Sequence, residues 1–200
     1  SRHNNHGVRI WSSDDTLVDS FSVPCDGSGH KRGLHVASSN GLQVKYGDYS
    51  CTTGAGIFLS ATNGGAILEN VYLYSNKIGI KIASNGNYIN YTNSNDNVDV
   101  GILFFGGDNN QVYDSDFNSE KYAISFTRDA KNNTLKDVVF DDIDDYDIHH
   151  GYNSNSSRNG WENVLIDTDF DDLYIDSSSR LLEKTLIETT IKDNGTYAWN

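Results

Sequence analysis

A segment built as small residue, apolar residue, variable residue, apolar residue recurs along this chain at near-constant spacing, and no other feature constrains the fold as tightly. Clear copies are Gly7-Val8-Arg9-Ile10, Gly33-Leu34-His35-Val36, Gly56-Ile57-Phe58-Leu59, Gly79-Ile80-Lys81-Ile82 and Gly101-Ile102-Leu103-Phe104. Degraded copies follow as Ala123-Ile124-Ser125-Phe126, Asp147-Ile148-His149-His150 and Asp172-Leu173-Tyr174-Ile175. Successive first apolar residues are 26, 23, 23, 22, 22, 24 and 25 positions apart. A second apolar series keeps step at Val18, Val44, Leu68, Ile89, Val112, Leu135, Leu165 and Leu182. Five residues beyond these stands a third, at Val23, Tyr49, Leu73, Ser94, Phe117, Phe140, Phe170 and Ile187.

Three strands with two inward side chains each cannot bury a hairpin, so each coil must stack on its neighbours at ~4.8 Å. The expected fold is all-β: a right-handed single-stranded parallel β-helix of about eight coils, three short strands per coil, forming one domain over residues 1–200. Alternation points Ile80 and Ile82 inward and Lys81 outward. Asn40-Gly41, Asn63-Gly64-Gly65, Asn85-Gly86-Asn87 and Gly106-Gly107-Asp108-Asn109-Asn110 mark turns suited to left-handed backbone. The Leu-x-x-Leu-x-Leu signature of a leucine-rich repeat is absent. A hydrophobic fraction of 36% with 18 Gly and one Pro fits a thin core supplied a little at a time.

The segments Asn110-Gln111-Val112-Tyr113-Asp114-Ser115-Asp116-Phe117 and Asn133-Thr134-Leu135-Lys136-Asp137-Val138-Val139-Phe140 resemble the repeats of pectin-lyase-like and NosD-like β-helix proteins. The resemblance covers nearly the whole chain. It implies the fold and a secreted or cell-surface location. It leaves function open, because that superfamily holds polysaccharide lyases, hydrolases, uronate epimerases, adhesins and structural modules. Polygalacturonase-like enzymes carry Asn-Thr-Asp, Asp-Asp, Gly-His-Gly and Arg-Ile-Lys motifs. Here Gly29-His30-Lys31 half-matches one of them, and Asp141-Asp142 lacks its companions. The Asp-Pro-His signature of uronate epimerases is excluded, since the one proline is Pro24.

The same register places Cys25 seven residues after Val18 and Cys51 seven after Val44, at equivalent positions of consecutive coils. Their Cα atoms are expected ~5 Å apart, within disulfide range. A Cys25–Cys51 disulfide or a stacked thiol pair is expected, against the alternative of two unrelated buried cysteines. The outward position of the first strand forms a ladder of Arg9, His35, Phe58, Lys81, Leu103, Ser125, His149 and Tyr174. Cations beside rings suit an acidic sugar chain, so Arg9, His35, Phe58, Lys81 and Tyr174 are candidate glycan-binding residues, against the alternative of an ordinary exposed sheet face. Acidic residues crowd late in the chain, and Asp141, Asp142, Asp147, Asp171 and Asp172 are candidate calcium ligands, against the alternative of a solvated ridge. The turn from Gly151 to Gly160 is longer than its counterparts and is expected to protrude near His149, His150 and Trp161.

A net charge of -13 argues against nucleic acid as a partner, and no apolar run approaches the ~20 residues of a membrane span. Sequons at Asn90, Asn132, Asn155 and Asn194 are too easily generated by chance in so Asn-rich a chain to decide the compartment. With no Met, the sequence is expected to be a processed product or part of a longer chain. No amphipathic cap is evident at either end, which points to a longer solenoid or to end-to-end self-assembly. The leading expectation is a non-catalytic extracellular or cell-surface module, structural or ligand-presenting, requiring no cofactor. The alternative is a lyase, hydrolase or epimerase acting on an acidic polysaccharide.

Overall fold

The computed structural model describes residues 6–23, 30–60, 65–128 and 130–150, together with strands Val164–Ile166, Leu173–Ile175, Leu186–Glu188 and Tyr197–Trp199. All regular structure among these residues is β, and every strand pairing is parallel: a β-helix. The first strands form one nine-stranded sheet: His6–Trp11, Arg32–Ala37, Ala55–Ser60, Ile78–Ala83, Val100–Phe105, Tyr122–Thr127, Tyr146–His150, Leu173–Ile175 and Tyr197–Trp199. Six coils are described through all their strands. The register is the one the repeat predicts, with Val8 opposite Leu34, Leu34 opposite Ile57, Ile57 opposite Ile80, and Ile80 opposite Ile102.

Two details differ from expectation. Second and third strands are separate in the first four coils, but in the next two they fuse into Gln111–Asn118 and Thr134–Asp141. Asp114 and Asp137 keep the left-handed corner conformation there, while pairing resumes on both sides of it. Farther along, Leu165 pairs with Ile187 rather than with Leu182. The spacing of 22 residues matches the coil period, whereas the 17 to Leu182 leaves too little chain for a coil.

Inside, Leu34, Val36, Ile57, Leu59, Ile80, Ile82, Ile102, Phe104, Ile124 and Phe126 are fully buried along the first-strand sheet. Each such side chain stabilises by roughly 1.5–3 kcal/mol. The Phe104 and Phe126 rings stack with centroids 4.7 Å apart. Val44, Leu68, Ile89, Val112 and Leu135 line the second wall, and Tyr49, Leu73, Ser94 and Phe117 the third.

Two polar ladders lie among these apolar ones. Asn87, Asn110 and Asn133 stack at one corner, fully enclosed. The Asn87 backbone N–H and Nδ2 both donate to Asn110 Oδ1 at 2.9 and 2.7 Å, and Asn110 repeats the pattern onto Asn133 Oδ1 at 3.0 and 2.9 Å. A carboxamide suits this place because one oxygen with two lone pairs satisfies a buried turn N–H and a second amide together. The Asn-rich turns thus do two jobs. Gly86, Asn109 and Asn132 take positive φ, whereas Asn87, Asn110 and Asn133 turn inward.

At the third corner Thr52, Asn76, Asn97 and Glu120 form a second column. The Thr52 N–H donates to Asn76 Oδ1, the Asn76 N–H to Asn97 Oδ1, and Asn97 Nδ2 to Glu120 Oε1 at 2.7 Å. Ser94 Oγ also donates to Glu120 Oε1, at 2.6 Å. Burial pushes the Glu120 carboxyl up to about 8, the two hydrogen bonds opposing the shift and the Asp96 charge adding to it.

Candidate functional site: the outer face of the first-strand sheet

Every rung of the outward ladder is in register: Arg9 opposite His35, His35 opposite Phe58, Phe58 opposite Lys81, Lys81 opposite Leu103, Leu103 opposite Ser125, Ser125 opposite His149, and His149 opposite Tyr174. Flanking rows widen it. His6 lies opposite Arg32 on one side, and Phe105 opposite Thr127, just before Arg128, on the other.

The result is a stripe of alternating cations and rings. The Arg9 guanidinium sits 4.1 Å from the Trp11 ring and that of Arg32 4.8 Å from Phe58. Lys81 Nζ lies 5.5 Å from Phe58 and 3.8 Å from Phe105, and the Arg128 guanidinium 3.6 Å from Phe105. Each contact orients a cation against an aromatic face while leaving its donors free. None of the four forms an ion pair among the described residues; the pairs seen there use Lys45, Lys77, Lys121 and Lys136 instead. Their mutual repulsion has electrostatic consequences. Burial lowers Lys81, with Arg128 and Arg32 adding to the shift, and burial then Arg9 lower Arg32.

His35 packs between the His6 ring, 4.9 Å away, and the Phe58 ring, stacked at 5.0 Å. It is 8% exposed, although its position on the strand faces outward. Ser60 Oγ donates to the Val36 carbonyl, so His35 Nε2, 2.8 Å from that oxygen, is the donor of the pair and Nδ1 carries the lone pair. Burial first, then Arg32, His6 and Arg9, push His35 down to about 4. It is therefore neutral at physiological pH. Farther up, His149 stacks on Tyr122 at 4.5 Å with Nδ1 3.1 Å from Ser125 Oγ. Sequence reasoning missed Arg32 and Phe105 and did not place Arg128 on this face; the strands extend one residue beyond the repeat core on each side, and residues at or just past those ends reach the same face.

The other candidates are placed as follows. Asp141 and Asp142 are exposed at the end of a third strand and its corner, with Asn118 Nδ2 donating to Asp141 at 3.3 Å. Asp147 is instead buried, on the row of Gly101 and Ala123 between the paired positions Tyr122–Tyr146 and Ile124–Ile148. Asp171 and Asp172 lie outside the described residues. Among the described residues no three His, Cys, Asp or Glu side chains come together as a metal site. Cys51 occupies a left-handed corner after Tyr49, which pairs with Val23. Cys25 and the turn from Gly151 to Gly160 are outside the described residues, as is the side chain of Tyr174.

A parallel β-helix whose outer first-strand sheet carries a linear array of side chains belongs to the pectin-lyase-like class of solenoids. Residues 1–128 match the family model described as "Periplasmic copper-binding protein (NosD)". The chain belongs to the NosD family. No curated protein matches it. Among solved structures, the crystal structure of the periplasmic alginate epimerase AlgG superposes with a TM-score of 0.72 at 15% identity, covering 94% of this chain and 47% of that one. The present chain thus spans about half the length of the epimerase, and at that identity the likeness concerns the fold.

Proposed function

We propose that this chain is a non-catalytic β-helix module, located outside the cytoplasm, that binds an acidic polysaccharide along the outer face of its first-strand sheet. One observation carries the reading. The six first strands from His6 to Thr127 contain Arg9, Arg32 and Lys81 and no Asp or Glu, in a chain with 28 acidic and 15 basic residues. Cations one or two coils apart, at a coil repeat of ~4.8 Å, each backed by a ring, offer charge-assisted hydrogen bonds to carboxylates and apolar faces to sugar C–H groups. The periplasmic location in the family's description and in the name of the epimerase supports an envelope address, and the epimerase's alginate supports a uronate ligand.

The imidazole buried within the cationic stretch is poorly placed to act as a base. His35 is neutral, but its lone-pair nitrogen Nδ1 is sealed from solvent and so cannot reach a sugar proton. Copper, named in the family's description, does not fit the described residues. Copper sites draw on imidazole and sulfur donors, and the chain has no Met. The adjacent His6 and His35 are hemmed by Arg9 and Arg32, whose charges disfavour a further cation.

Titrating oligouronates against the protein by calorimetry tests the reading. Arg32→Gln and Lys81→Gln should each weaken binding at least about tenfold, since a charge-assisted hydrogen bond contributes about 1.5–3 kcal/mol. Unsaturated product or new reducing ends should not form. Binding indifferent to both substitutions, or turnover, would refute it.

A further inference from the structure

A different face of the solenoid carries a second collection of unused aromatic and polar groups. Tyr72 and Tyr74 stand two residues apart on the strand Tyr72–Tyr74, both pointing outward and exposed at 58% and 47%. Asp48 pairs with Tyr72 from the coil on one side, and Asn93 and Asn95 pair with Tyr72 and Tyr74 from the other. Ser50 completes the set: its Oγ accepts the Tyr74 N–H at 3.2 Å and donates to Asp48 Oδ1. These residues, with Leu73 below them, line a depression of about 320 Å³.

We propose that this depression is a second carbohydrate site, selective for a neutral sugar. Residues i and i+2 of a strand lie ~6.6 Å apart, about twice the van der Waals contact distance, so a pyranose ring entering between the two tyrosine stems touches both. The ring faces take the sugar's C–H surface. The polar rim supplies directional partners: the carboxamides of Asn93 and Asn95 and the hydroxyls of Tyr72 and Tyr74 have no hydrogen-bond partner among the described residues. Asp48 is held in place by Ser50 through one oxygen and keeps the other for sugar hydroxyls.

Charge decides the class of sugar. Among the described residues no Lys, Arg or His lines the depression, and Asp48 is a carboxylate. A uronate would bring its own carboxylate against Asp48 without a compensating cation, which is the reverse of the first-strand face. The volume, at the lower end of the ~300–1,000 Å³ typical of ligand pockets, suits a short saccharide or the end of a chain. This site does not rest on the acidic-glycan reading, because no residue is shared between the two faces.

The test is a titration of the full chain with neutral oligosaccharides of glucose, mannose and galactose, and separately with an oligouronate, read by calorimetry and tyrosine fluorescence. At least one neutral oligosaccharide should bind, Tyr74→Ala and Tyr72→Ala should each weaken it at least tenfold, and the doubly substituted Arg32→Gln/Lys81→Gln chain should bind it unchanged. Asp48→Asn should reduce the discrimination against the oligouronate at this site. Circular dichroism checks that the variants fold, and Tyr74→Phe, which keeps the ring, should retain most of the affinity. Failure of all neutral sugars to bind, binding insensitive to both tyrosines, or competition by the oligouronate in the wild-type protein would each overturn the proposal.

Discussion

Replacing Glu120 by Gln should remove a pH-dependent weakness from the solenoid. The carboxyl is fully enclosed at the end of the Thr52, Asn76, Asn97 column, and its Oε2 has no partner among the described residues. Burial lifts it from 4.5 to about 8. The folded chain therefore holds a proton that the unfolded chain releases above pH 4.5. Stability from this group is fully present below that value, falls as the pH rises, and is exhausted once the pH passes about 8. At about 1.4 kcal/mol per pKa unit the whole displacement amounts to about 5 kcal/mol, comparable to the net stability of a small domain. Gln keeps the oxygen that accepts from Ser94 and Asn97 and puts an NH2 where one O–H stood, at a cost of about 1 kcal/mol for an unmet donor. The variant should be slightly weaker than wild type at about pH 5 and stronger by roughly 3–4 kcal/mol at about pH 8.5. Urea denaturation of both proteins across this range measures the difference, and taking it cancels the titration of all other carboxylates. A wild-type to variant difference that stays constant across the range would show that Glu120 ionises normally and that the column tolerates the charge.

Interrupting the other column should be costlier at neutral pH. Asn110→Leu removes the oxygen that accepts from the Asn87 N–H and Nδ2, and with it one of the two donors to Asn133 Oδ1. A loss of about 3–5 kcal/mol is expected in the same denaturation assay. Two glycines should differ sharply in their tolerance of a side chain. A Cβ on Gly101 would collide with Glu120 Oε2 and sit 2.6 Å from Phe117 and 2.7 Å from the Ala123 carbonyl, so Gly101→Ala should lower the melting temperature steeply. Gly86 at φ +69 has nothing within 4 Å, and Gly86→Ala should cost only the ~1 kcal/mol of left-handed strain. Finally, Val23 pairs with Tyr49, and Cys25 and Cys51 each stand two residues farther along the sequence, so the repeat predicts them side by side. Peptide mapping without reductant should recover those two residues in one cross-linked peptide, and reduction should destabilise the chain by about 3 kcal/mol; two unlinked peptides would break the inferred register of the first coils.

Much of the scaffold is legible in the sequence because a solenoid has one degree of freedom to specify: the period. Once Val8, Leu34, Ile57, Ile80 and Ile102 are aligned, each residue between them inherits a partner, and the observed pairings follow. At Leu182 a local apolar match outweighed the period that Ile187 satisfies. The polar interior was hidden for a different reason, because residue type alone does not separate a corner from a ladder rung. Asn109 and Asn110 are adjacent and identical, yet one takes a positive φ at the corner and the other is buried in the column. Only the direction of the backbone distinguishes them. The cation–aromatic stripe was half visible, since Arg9, His35, Phe58 and Lys81 follow from alternation, whereas Arg32 and Arg128 depend on where each strand begins and ends.

The segregation of charge gives the acidic-glycan reading a distinctive salt dependence. A net charge of -13 repels a polyanion at long range, while Arg9, Arg32, Lys81 and Arg128 attract it only within the stripe. At ~0.01 M salt the screening length is about 30 Å, long enough for the distant carboxylates to be felt at the groove; at ~0.15 M it is about 8 Å, and the neighbouring cations dominate. Raising salt from the first value to the second should therefore strengthen oligouronate binding through a faster on-rate, and further salt should weaken it by screening the contacts themselves. Stopped-flow association across the series separates these regimes. A steady fall in affinity from the lowest salt upward would mean that the acidic surface does not reach the groove, and that the stripe acts alone.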